Sequence, residues 1–114
     1  TNDLLQYSFA ADRGITSLNK YHDALHPSFL KLLYNIINIS NDNDIEVSVC
    51  GDMASDAEGA YMLYLLGLRI FSLAPSQAPV IVSSLLDANK ALKNINIDEI
   101  LSQKNSQSVR KFII

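Results

Sequence analysis

The sequence predicts an α/β protein in which short parallel strands are covered by helices. Three observations carry that expectation. "IEVSVC" (45–50) and "RIFSLA" (69–74) are brief, apolar runs, too apolar for a sheet with one face in water. Each is closed by a breaker, Gly51 or Pro75, and then followed by a helical pattern, the order that parallel βα units require. Near the start, Asn2-Asp3 stands directly before another helical run, as an acid-amide pair does at the end of a strand lying upstream.

Residues 4–11 (LLQYSFAA) are expected to be helical, ending near Arg13-Gly14, and 14–26 are polar and irregular. Pro27 suits the first position of a helix. Behind it Phe29, Leu30, Leu33, Ile36 and Ile37 keep helical spacing to about Ser40. Asn41-Asp42-Asn43-Asp44 consists of turn residues and is read as a loop. After the strand at 45–50, Ser55 and Glu58 have the spacing of a capping box, with Ser55 as N-cap. The helix they open reaches Leu66, and Gly67 stands where a left-handed C-terminal cap is needed. The strand at 69–74 leads to a helix from about Pro79 to Lys93. The rest, 94–114, carries one or two helical turns after Asp98 and an apolar end, Phe112-Ile113-Ile114.

The chain of 114 residues, 48% hydrophobic, is read as a single domain unit, 1–114, with a modest core. Nine basic and twelve acidic residues give a net charge of −3 with no basic stripe, which argues against nucleic acid or an anionic membrane as partner. No apolar run approaches the roughly 20 residues that span a bilayer, and nothing resembles a signal peptide. The single Cys50 cannot form an intrachain disulfide, so a reducing, cytoplasmic setting is the simplest expectation.

In a parallel α/β fold the loops after the C-terminal strand ends form the functional face. Three such places are visible: Thr1-Asn2-Asp3, Cys50-Gly51-Asp52 and Ala74-Pro75-Ser76. Asp3 offers the hard carboxylate oxygen that Mg²⁺ prefers, and Asn2 offers both donor and acceptor. An ordinary helix cap before Leu4 explains the same pair. Arg13 suits a bidentate clamp on phosphate or carboxylate, or else a surface ion pair with Asp12 or Asp23. Cys50 is either a reactive thiol at a strand end or a buried, inert one. His26, directly before Pro27, belongs to a helix entry and His22 to a polar loop, so neither is taken as catalytic. Tyr61 and Tyr64 are expected partly buried, hydroxyls outward.

Taken together, these residues carry a resemblance. "TNDLLQYSFAADR" (1–13) closely resembles a signature of the phosphoenolpyruvate (PEP)-utilising enzymes, Gly-[Ser/Thr]-Asn-Asp-Leu-x-Gln ending in an Arg. Thr1, Asn2, Asp3, Leu4, Gln6, Tyr7, Ala10 and Arg13 fall in register. "VCGDMASD" (49–56) is similar to the family's Cys-Gly-Glu-x-x-x-Asp, and "GLRIFSLAPSQAP" (67–79) to its final strand with Phe-Ser and a later Pro. The first motif is highly specific, the other two moderately so, and the three occur in the family's order. Within the family the chain looks most like enzyme I of the phosphotransferase system or its nitrogen-regulatory paralogue, and less like pyruvate phosphate dikinase or PEP synthase.

The resemblance implies a (β/α)₈ barrel of which this chain is the C-terminal part, a whole barrel taking about 250 residues. Thr1-Asn2-Asp3 would end the sixth strand, and 45–50 and 69–73 would be the seventh and eighth. It implies that Asp3 ligates Mg²⁺, that Asn2 holds the substrate's phosphate or carboxylate, and that Arg13 binds the phosphoryl group. Cys50 becomes the acid/base that protonates the enolate carbon to give pyruvate, a role expected to need burial so that the thiol keeps its proton. The implied partners are PEP and pyruvate, a histidine-containing phosphocarrier protein reached through an upstream domain, and a second copy in a homodimer. A barrel kept only for dimerisation or regulation is the rival reading. Asp52 departs from the family's Glu and Ala54-Ser55 from its common Ala-Gly. The second metal-ligating carboxylate, further substrate arginines and the phosphoryl-accepting His are expected upstream.

Overall fold

The computed structural model describes residues 1–113. Its elements run α1 (Asn2–Ser8), α2 (Pro27–Asp42), β1 (Ser48–Val49), α3 (Asp52–Ser55), α4 (Ala57–Leu65), β2 (Ile70–Phe71), α5 (Ala78–Ala91), α6 (Ile97–Leu101) and α7 (Ser106–Arg110). Single 3₁₀ segments cover Thr16–Tyr21, Pro75–Gln77 and Leu92–Asn94.

β1 and β2 are parallel, with Ser48 opposite Ile70 and Val49 opposite Phe71. Ser72 N–H extends the ladder to the Val49 carbonyl at 2.9 Å. The paired stretches are shorter than the apolar runs at 45–50 and 69–74, because a ladder extends only where a neighbour supplies partners. Ile45 is correspondingly exposed. Successive carbonyls of a strand point to opposite edges. Val49 faces β2, so the Cys50 carbonyl, which accepts the Thr1 backbone N–H at 2.9 Å, turns to the other edge of β1. Thr1, β1 and β2 therefore lie side by side in that order.

α4 is the centre of the core. Gly59, Ala60, Tyr61, Met62, Leu63 and Leu65 are all buried, as in a helix surrounded on every side. α5 lies along it, tied by Ser84 Oγ–H to the Ala57 carbonyl (2.6 Å) and by Tyr64 Oη–H to Asn89 Oδ1 (2.8 Å). α2 adds Phe29, Leu30, Leu33 and Ile37 to the same core, and Ile100 and Val109 close it from α6 and α7. Ile36, expected on the buried face of α2, is exposed instead. Tyr61 is buried outright at 1% exposure rather than partly, and only Tyr64 keeps its hydroxyl toward the surface.

Helix ends follow local chemistry, with two corrections. His26 caps α2 through Nδ1, which accepts the Ser28 N–H, and Pro27 is its first residue, as expected. α2 runs on through Asn41 and Asp42, and the turn begins at Asn43 with Asp44 in the left-handed region at φ 54°. The supposed capping box does not form. Ser55 is the last residue of α3, and Asp56, one position on, caps α4 by accepting the Gly59 N–H at 2.9 Å. Gly67 takes φ 104° and closes α4 as expected: its N–H bonds the Tyr64 carbonyl, and the Leu68 N–H bonds Leu63.

Candidate functional site

The candidate site forms where α1 begins and β1 ends. Thr1 donates from its backbone N and from Oγ1 to the Cys50 carbonyl, at 2.9 and 3.0 Å. Asn2 Oδ1 accepts the Asp52 N–H at 3.1 Å. Between them Gly51 has φ 93°, and a Cβ there would come within 3.0 Å of both Asn2 Oδ1 and Thr1 Oγ1. Only glycine combines that backbone with that approach. Thr1 is the N-cap of α1 without a side-chain cap bond, and Asn2 and Asp3 already lie in its first turn. The helix-cap explanation of Asn2-Asp3 therefore fails: Asn2 serves a loop 50 positions away.

Arg13 reaches the same place by a turn. α1 ends with Ala10 at φ 51°, its N–H bonded to the Tyr7 carbonyl and the Ala11 N–H to that of Gln6. That reversal returns the chain so that Arg13 Nη2 stands 3.7 Å from Asp3 Oδ1, both side chains exposed. The pairing of Arg13 with Asp12 or Asp23 does not occur. Asp12 accepts the Gly14 N–H at 2.7 Å, and Asp23 is taken by Arg110. His22 Nε2–H donates to the Asp12 carbonyl at 3.2 Å, next to Arg13 in sequence.

Asn2, Asp3, Arg13 and Cys50 line one open cleft of about 280 Å³, together with Thr1, Leu4 and Gly51. A smaller cavity of about 120 Å³ adjoins it, shared by Asn2 and Arg13 with His22 and Asp52. Cys50 is exposed in this chain, so the reading of an inert, buried thiol does not hold. The cleft thus offers one carboxylate, one guanidinium, an amide and a thiol. That set can bind an anion through Arg13, share a cation through Asp3 and move a proton at Sγ.

Among the described residues no group of three or more His, Cys, Asp or Glu converges on one point. Asp3, 81% exposed in its side chain, can still give one hard oxygen to a Mg²⁺. That fits an ion whose remaining ligands are waters, substrate oxygens and the second carboxylate that the resemblance places upstream.

The sequence reading missed a second polar centre beside this one. Arg110, at the end of α7, donates to both carboxylate oxygens of Asp23 (2.7 and 3.1 Å) and through Nε to Glu58 at 3.0 Å. Burial pushes the Asp23 carboxyl up, but the hydrogen bonds from Arg110 and the Leu25 N–H, with the charge of Arg110, outweigh it and leave the carboxyl below its ordinary value. The bond to Asp23 in turn raises Arg110. Nothing local in sequence announces this contact.

No helix among the described residues is long and apolar enough to cross a membrane. Residues 1–90 match the family described as "PEP-utilising enzyme, PEP-binding domain". The chain is 36% identical over 101 residues to the phosphoenolpyruvate-protein phosphotransferase of Cupriavidus necator, covering 89% of this chain and 17% of that protein. It is 36% identical over 120 residues to the protein of the same name from Mycoplasma pneumoniae, covering 99% of this chain and 20% of that one. A probable phosphoenolpyruvate synthase of Pyrococcus horikoshii is 37% identical over 81 residues, 71% of this chain and 10% of the relative. The chain thus spans a fifth or less of the length of these curated relatives. With its motif residues gathered at one cleft and the family match running through all of them, the chain belongs to the PEP-utilising enzymes, in the region of their PEP-binding domain.

Proposed function

We propose that this chain is the C-terminal part of the PEP-binding (β/α)₈ barrel of a phosphoenolpyruvate-protein phosphotransferase. The observation that carries the reading is the single cleft lined by Asn2, Asp3, Arg13 and Cys50, which come from two segments far apart in sequence. The parallel pairing of β1 with β2, and the bond from Thr1 to the Cys50 carbonyl at the other edge of β1, support the barrel, whose consecutive strands lie side by side. Ser48, Cys50, Ile70 and Ser72 alternate with the half-buried Val49 and Phe71 and are all exposed. In a closed barrel that open face turns inward, which would shelter the Cys50 thiol. The two phosphotransferases align over 89% and 99% of the chain and the synthase over 71%, which favours the former.

In this reading the guanidinium of Arg13 holds the phosphoryl oxygens of PEP, and Asn2 donates to phosphate or carboxylate. The phosphoryl group passes to a His of the same protein and then to a histidine-containing phosphocarrier protein, leaving the enolate of pyruvate. Cys50 Sγ–H gives its proton to the methylene carbon of that enolate; a C–H bond forms, and the thiolate regains a proton from water. Asp3 would hold Mg²⁺, which would supply positive charge to stabilise the developing enolate. The reading includes a homodimer of the whole protein and a reducing cytoplasmic setting, where a free thiol such as Cys50 survives.

The test is Cys50→Ala in the full-length protein. Turnover is expected to fall on the order of 100-fold or more. Single-turnover phosphorylation of the His should persist, solvent-proton entry into pyruvate should be lost, and melting temperature and Mg²⁺ affinity should hardly move. Asp3→Ala should weaken Mg²⁺ binding itself. Wild-type-like proton entry in Cys50→Ala would overturn the assignment of the thiol.

A further inference from the structure

We propose that Asn2 is a positioning residue for Cys50, setting where the thiol stands relative to Asp3 and Arg13. The proposal rests on the phosphoenolpyruvate reading of the cleft and deepens it. Asn2 and Asp3 are neighbours in the first turn of α1, yet they face different tasks. Asp3 stands in the cleft against Arg13, whereas the Asn2 oxygen is spent on the backbone of another loop, the Asp52 N–H.

That loop needs an anchor. Gly51, between Cys50 and Asp52, has φ 93° and no Cβ, so it is the natural joint about which Cys50 can swing. The helix after it, α3, has only four residues to hold its own start. Three contacts close the joint. The two from Thr1 end on the Cys50 carbonyl, on the strand side, and the one from Asn2 ends on the Asp52 N–H, on the helix side. Asn2 is thus the side chain that fixes the far end of the joint. The space a Cβ at Gly51 would need is filled by the same Asn2 oxygen, so turn and clamp fit each other.

An amide is suited to this place in a way that a hydroxyl or a carboxylate is not. Its oxygen accepts from Asp52 while its nitrogen remains a donor, so one side chain can hold the loop and face an anionic substrate without adding negative charge. Proton transfer from sulfur to carbon tolerates little displacement: a misplacement of about 1 Å costs on the order of 100-fold in rate. Loss of the Asn2 oxygen should therefore appear in the proton step, and loss of its amide nitrogen in substrate binding.

Two substitutions in the full-length protein separate these roles. Asn2→Ala removes acceptor and donor; Asn2→Asp keeps an oxygen acceptor and removes the donor. Hydrogen–deuterium exchange of the peptide covering 50–53, without substrate, reads the clamp directly, and the peptide covering α4 shows whether the fold is intact. In Asn2→Ala exchange over 50–53 should accelerate roughly tenfold, with α4 unchanged and proton entry into pyruvate reduced about 100-fold. In Asn2→Asp exchange over 50–53 should stay near wild type and proton entry should largely survive, while KM for PEP rises. Unchanged exchange over 50–53 in Asn2→Ala would overturn the proposal, as would exchange in Asn2→Asp as fast as in Asn2→Ala. The exchange measurement needs no substrate. A protein that shows the predicted exchange pattern but does not act on PEP would keep the clamp and refute the phosphoenolpyruvate reading alone.

Discussion

At Ala10, an exposed residue, the backbone enters the left-handed region, φ 51°. An L-residue with a Cβ is strained there by about 1–2 kcal/mol, and glycine is not. The motif fixed by the Ala10 and Ala11 N–H bonds is the one in which glycine is usual. Ala10→Gly should therefore stabilise the protein, by up to about 1 kcal/mol once the greater freedom of glycine in the unfolded chain is subtracted. Thermal or urea unfolding of the two proteins would check it, and a lower midpoint for Ala10→Gly would show that the turn is not under strain. Because this reversal delivers Arg13 to the cleft, its strain lies beside the site, as strain often does. Nothing in "SFAADRG" reveals a left-handed alanine, since composition at a turn is read through Gly and Asn. The residue types of the cleft were legible because motif spacing names them. Their joint use, with Asn2 bound to Asp52 rather than to its own helix, was not.

Between elements, α3 lies close against α4 at Gly59. A Cβ on Gly59 would stand 2.3 Å from the Met53 carbonyl oxygen and 2.9 Å from Met53 Cγ, and the first of these is backbone that cannot step aside. Gly59→Ala must push α3 away from α4, at a cost of about 2–3 kcal/mol, in the range of overpacked cores. Gly14→Ala is the control: its Cβ would meet only the Asp12 carboxylate at 3.2 Å, and stability should change little. Equal midpoints for the two variants would mean that α3 adapts freely. The same packing moves the helix start from the expected Ser55 to Asp56. Ser55 and Glu58 have capping-box spacing, but α3 occupies 52–55, and the chain turns only at Asp56, whose carboxylate is placed to accept the Gly59 N–H. The parallel pairing of 48–49 with 70–71 was legible from two apolar runs separated by a helix. The lengths of the strands were not, because they depend on neighbours that a strand does not encode in itself.

Across the whole molecule, Arg110 ties α7 to the loop before α2 and to the first turn of α4, joining positions 87 and 52 residues apart. Charges so distant in sequence have no periodicity to betray them, so sequence alone offers Asp23 to the nearer Arg13, while the fold pairs it with Arg110. The bidentate geometry on Asp23, half-sheltered from water, gives the contact more weight than a surface ion pair. Arg110→Met should lower stability near neutral pH by about 1–2 kcal/mol, discounted for the part of the guanidinium that water still screens. The acid limb tests the cause. The Asp23 carboxyl is held below its ordinary value in the folded protein, so the stability it contributes is complete above the unfolded value of about 3.9. That stability is lost as pH falls through the lower, folded value. The difference in unfolding free energy between the parent and Arg110→Met should therefore be constant from pH 7 to about pH 5 and shrink below about pH 4. Denaturant titrations at stepped pH measure it directly. A difference that persists undiminished into acid would mean that Arg110 acts by packing its stem rather than by holding the Asp23 charge.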